Sequence, residues 1–135
     1  MRASISMEYI IIVIALIFIY AALFVHYIAL GSSSVHDVEK MIKVKGELLK
    51  LRTAGQFVRS SDYGIVTLTL VLPADVNLHI GSTLDANVPV VGNYNLCDGN
   101  ICHIGVSSPF TSSANLSGTV QVRIEGNTQS VWVVP

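Results

Sequence analysis

YIIIVIALIFIYAALFVHYIAL, residues 9 to 30, runs for 22 residues without an Asp, Glu, Lys or Arg. As a helix it rises about 33 Å, which matches a hydrocarbon core of about 30 Å. It is longer and more β-branched than the apolar part of a secretory signal, and no small-residue cleavage pattern follows it. A buried helix of a small globule is usually shorter. The segment therefore predicts a membrane span or a helix packed among other chains. Its only ionisable group besides tyrosine is His26, and Glu8 stands at its lip. Arg2 precedes the run, and the basic cluster after it begins only at Lys40, which favours the N-terminus inside and the remainder outside.

Composition bounds the rest. The chain has 135 residues and a net charge of −1, so nothing suggests nucleic-acid binding. Mean hydropathy is +0.59, most of it from the first third. Lys40, Lys43, Lys45, Lys50 and Arg52 crowd together, and no lysine follows Lys50. The remainder is rich in Ser, Thr and Asn, a composition suited to an extracytoplasmic face.

After Gly31-Ser32-Ser33-Ser34 the pattern becomes amphipathic. Met41, Val44, Leu48 and Leu51 form one stripe, and Val35, Val38, Ile42 and Leu49 form an adjacent one. His36, Lys40, Lys43, Glu47 and Lys50 occupy the opposite, solvated face, with Gly55 as the expected terminator. Residues 5–54 thus read as one helix approaching 70 Å, loosened at Gly31–Ser34. An assembly needs such a helix; a globule of this size does not.

From Tyr63 the period drops to two. IVTLTLVLP, VNLHI, NVPVV, ICHIGV, TVQVRIE and QSVWVV read as short antiparallel strands. Two Gly-first pairs, Gly99-Asn100 and Gly126-Asn127, predict two-residue hairpin loops. In the first, Asp98 faces Ile101 and Cys97 faces Cys102 as a non-hydrogen-bonded pair, with Cα atoms about 4.5 Å apart. A disulfide fits that separation in an oxidising compartment. CDGNICH also admits a widened haem-attachment motif with His103 as iron ligand, although the hairpin turn explains the spacing without haem. A zinc site lacks enough nearby ligands. Asn115-Leu116-Ser117 is a glycosylation acceptor pattern, read as a loop. No catalytic motif or phosphate loop occurs, so no cofactor is expected and nothing points to an enzyme.

RASISMEY followed by an unbroken aliphatic helix resembles the class III signal peptide of archaeal type IV pilins and archaellins. By position, the resemblance implies cleavage between Ala3 and Ser4, with Ser6, Glu8 and Tyr9 at the family's serine, glutamate and aromatic positions. It implies a membrane-stored subunit, cut by a prepilin peptidase and polymerised by an assembly platform into a surface filament. Residues 1–3 would then be leader, 4–34 the span and filament core, 35–55 the amphipathic continuation and 56–135 an extracellular β-domain. Glu8 and Tyr9 would set assembly register, Glu8 by pairing with the new α-ammonium of Ser4. The expected fold is α+β: a long N-terminal helix before a small immunoglobulin-like sandwich. The expected role is an adhesive pilus subunit. Archaellum motility and a membrane-anchored β-domain binding a surface-layer or motor component are the alternatives.

Overall fold

The structure, a computed structural model, describes residues 7–134, with side chains from Tyr9 onward. Ala3, Ser4 and the Glu8 side chain lie outside that description. The fold is α+β: one helix, α1 (Met7–Arg59), precedes seven strands in two antiparallel sheets. The chain forms two compact units, Met1–Val35 and His36–Pro135.

Gly31–Ser34 does not interrupt the helix. The Ser32, Ser33 and Ser34 hydroxyls donate back to the carbonyls of Ala29, Leu30 and Leu30 at 2.9–3.1 Å. The hydroxyls thus bond inside the helix, where they otherwise compete with it. Nor does Gly55 end it. A Cβ there would lie 2.6 Å from Pro109 Cγ and 2.7 Å from Phe110 Cζ, so glycine permits a close approach inside the helix. The end comes five residues later, where the Ser60 and Ser61 hydroxyls both donate to the Phe57 carbonyl.

In the second unit, β1 (Gly64–Val71) pairs with β6 (Thr119–Gly126), which pairs with β7 (Val131–Val134). The other sheet has β2 (Asn77–Ile80) and β3 (Thr83–Pro89) at its centre, flanked by β5 (Ala114–Ser117) and β4 (Ile101–Ser107). The order β5-β2-β3-β4 is a Greek key. The sheet order differs from that of an immunoglobulin constant domain, in which the first strand pairs with the second. Here the chain leaves the first sheet after β1 and returns only at β6. It re-enters at Gly118, whose φ of 66° lets β5 pass into β6 within one residue. Leu72 N–H, in the outgoing crossover, donates to the Gly118 carbonyl at 3.1 Å.

One core joins both sheets to the helix. Leu70, Val122, Ile124, Val131 and Val133 come from the first sheet, and Leu78, Ile80, Leu84, Ala86 and Val88 from the second. Alternation sends these inward and the Thr, Asn and His neighbours outward. The helix adds Val44, Leu48, Leu51 and Val58, each fully buried, with Met41 packed against them. The apolar face expected of this helix is therefore split: Val38, Ile42 and Leu49 stay exposed. Two members of its charged face are half-buried and bonded to the β-domain. Lys40 is paired with Asp75 and donates to the Pro89 carbonyl at 2.9 Å. Glu47 accepts from Val71 N–H at 3.3 Å.

Two strand-level expectations are corrected. Asn115 is in strand β5, not a loop. The β6–β7 hairpin turns at Thr128-Gln129, so Glu125 faces Trp132 instead of Thr128. A four-residue slip leaves every side chain on the same face, so alternation cannot distinguish the registers. Turn chemistry does. Asn127 Oδ1 accepts from the amides of Gln129 and Ser130 at 2.9 and 3.0 Å. Gly126 sits where a Cβ would lie 2.4 Å from the Ser130 carbonyl oxygen.

Candidate functional site

Two features bear on function, one in each unit. The first is the apolar helix. Consecutive residues project about 100° apart, so three in a row sample the whole circumference. Phe18, Ile19 and Tyr20 are 71%, 56% and 70% exposed. Every residue from Tyr9 to Leu30 is exposed, Tyr9 and His26 among them. By length and composition this helix is able to cross a membrane.

The second feature is a stapled hairpin together with the loop before it, which a buried carboxylate holds. Asp98 and Ile101 exchange both backbone hydrogen bonds, at 2.9 and 3.1 Å, around Gly99-Asn100. Gly99 has φ 59°, as a Gly-first two-residue loop requires. Cys97 and Cys102 are consequently brought to a Cα separation of 4.3 Å and are joined as a disulfide. The thiols that a covalent haem would use are thus bonded to each other. His103 Nδ1 is 2.7 Å from Asn87 Oδ1, its cross-strand neighbour.

Asp37 was invisible as a site from sequence. It is 2% exposed, on the helix turn that opens the second unit. Its carboxylate accepts from Val91 N–H at 3.0 Å, Gly92 N–H at 2.8 Å and the Tyr94 hydroxyl at 3.0 Å. A Cβ at Gly92 would lie 2.7 Å from the Tyr94 hydroxyl, so glycine leaves room for that ring to reach Asp37. Burial alone would push the Asp37 carboxyl up. The bonds from Gly92, Val91 and Tyr94, with the Lys40 charge nearby, bring it below its usual value instead. The hydrogen bond from Lys40 likewise lowers Asp75. No sequence signal marks Asp37, because its donors lie more than 50 residues away.

The remaining expected residues are scattered. Asn115 is exposed on β5, with Oδ1 2.7 Å from His79 Nδ1, and Ser117 shares its outward face. Glu39 pairs with Lys43 at 3.1 Å. Among the described residues, no three His, Cys, Asp or Glu come together as metal ligands.

The disulfide should be present in protein taken from an oxidising compartment. Alkylation is expected to label neither cysteine until a reductant is added; free thiols in native protein would contradict an extracytoplasmic location. Reduction should cost about 2 kcal/mol or less, because so short a loop gains little from closure.

Comparison with known proteins adds no family: no family model, curated protein or solved structure matches this chain.

Proposed function

We propose that this chain is the structural subunit of an archaeal pilus-type surface filament, polymerising through its apolar helix and serving adhesion. One observation carries the reading: every residue of the 22-residue apolar run is exposed, while the second unit closes a core of its own. So much apolar surface in water is unfavourable by about 25 cal/mol per Å². A bilayer before assembly, and identical helices after it, would both remove that surface from water. The extracytoplasmic composition and the disulfide support an external β-domain. A permanently anchored β-domain would satisfy the helix with lipid alone.

Intact mass and electron microscopy of sheared cell-surface material test the proposal. Expected are filaments containing this chain and a mass lacking residues 1–3. A full-length chain found only in membranes would favour the anchor.

In this reading Glu8 has a definite role. Once Ser4 bears a free α-ammonium, the Glu8 carboxylate of the same or an incoming chain can pair with it. An unmatched charge among apolar helices is costly, so the pair selects one axial register. Glu8→Gln should insert and accumulate normally yet give few or no filaments. Normal filaments would leave Glu8 only its favourable position near a helix N-terminus.

A further inference from the structure

We propose that the groove between helix residues 45–59 and the free edge of β4 binds an extended acidic segment of another protein, which adds a strand to that edge. The groove lies wholly within the second unit, so the inference holds for filament subunit and anchor alike.

The helix carries the charge. Among the described residues, Lys40, Lys43, Lys50 and Arg123 each pair with a carboxylate. Lys45, Arg52 and Arg59 pair with none. Seven residues are nearly two helical turns, so these three stand in one row. Lys45 and Arg59 are exposed, and Arg52 has its Nε buried without a hydrogen bond. A buried unmatched donor is costly, and a carboxylate forked onto the guanidinium would supply its partner.

The backbone comes from β4, an edge strand paired only with β3. Val90 N–H donates to the Asn100 carbonyl, and the ladder alternates from there, so Cys102, Ile104 and Val106 bond to β3. The amides and carbonyls of His103, Gly105 and Ser107 face the other way, with no partner among the described residues. Both rows bound the groove. Lys45 lines one hollow with His103 and Gly105, and Arg59 lines another, of about 420 Å³, with Gln56, Ser107 and Ser108. Free edge groups beside a row of cations suit an extended acidic peptide.

Charge decides the occupant. From Lys45 to Arg59 the helix rises about 21 Å, roughly six or seven residues of extended chain. A second copy has no acidic run to offer: after Glu47 the carboxylates are Asp62, Asp75, Asp85, Asp98 and Glu125, each isolated in the sequence. Asp85 Oδ1 leans over Gly105, 2.7 Å from where a Cβ would lie, and repels acids on the outer face of the edge. Incoming carboxylates therefore belong on the alternate side, toward the helix.

Fluorescence anisotropy of the full chain in a neutral detergent tests this. The probes are a short labelled peptide of alternating glutamate and threonine, its glutamine counterpart, and heparin. The glutamate peptide is expected to bind at low salt, and hydrogen exchange of residues 103–107 to slow in its complex. Lys45→Gln with Arg59→Gln, both exposed, should melt like wild type and bind several-fold more weakly. Equal binding of the glutamine peptide, unchanged affinity in the double variant, or unchanged exchange at 103–107 would overturn the strand addition. Heparin binding without peptide binding would overturn it in favour of a polyanion site. Self-association that the double variant abolishes would overturn it in favour of a second copy.

Discussion

Asp37→Ala is expected to destabilise the second unit by about 3–5 kcal/mol, since two backbone amides and the Tyr94 hydroxyl lose their acceptor in a buried place. Small domains are stable by only about 5–15 kcal/mol, so the variant should approach unfolding at ambient temperature. Asp37→Asn keeps one acceptor oxygen and should cost less, about 1–2 kcal/mol. Denaturant titration of both variants in detergent checks the order. An alanine variant as stable as wild type would show that water replaces the carboxylate at no cost.

The same carboxylate sets a pH dependence. Its folded value lies below its unfolded one, so its contribution is fully present above the unfolded pKa, about 3.9. It is lost as pH falls through the lowered folded value. Asp75 acts in the same direction. Stability from these groups should be level from pH 8 to about pH 5 and fall below about pH 4. The fall should be shallower in Asp37→Asn, which has no proton to take up there. A decline centred near pH 6 would implicate a histidine instead.

The second large effect concerns the apolar helix, on which filament subunit and lone anchor make opposite demands. Ile12 and Leu16, on one face, and Ile11 and Ala15, on a neighbouring one, are all exposed in the single chain. Changing them should leave the stability of the second unit untouched. Lipid accepts one aliphatic residue nearly as well as another. Helices packed against copies of themselves do not, because closely packed interiors respond to single methylenes. Ile12→Ala with Leu16→Ala should remove about 2–5 kcal/mol per truncation from each subunit contact. Ile11→Phe with Ala15→Phe should fail through overpacking, typically about 1–3 kcal/mol per site. Both pairs are expected to give membrane-inserted monomer with filaments lost. Wild-type surface function from both would reduce the helix to an anchor.

Much of this protein is written in local pattern. The unbroken run from Tyr9 to Leu30 specifies a long apolar helix, because a charge-free stretch of that length has few other uses. The period of two from Tyr63 onward specifies strands, since successive side chains on an extended chain face opposite ways. Gly99-Asn100 determines its hairpin and so the meeting of Cys97 with Cys102, all within six residues. Tertiary structure alone decided what depends on distant partners. It chose which apolar stripe of the helix is covered, because both have the same period and only one meets the strands. It ran the helix through Gly55, whose bare Cα admits Pro109 and Phe110 from the loop after β4. It made a strand of residues 114–117 by pairing them with β2. It settled the β6–β7 register, which parity leaves open by steps of two residues. And it buried Asp37, an ordinary helix-surface carboxylate in sequence, by bringing to it three donors that no local pattern connects.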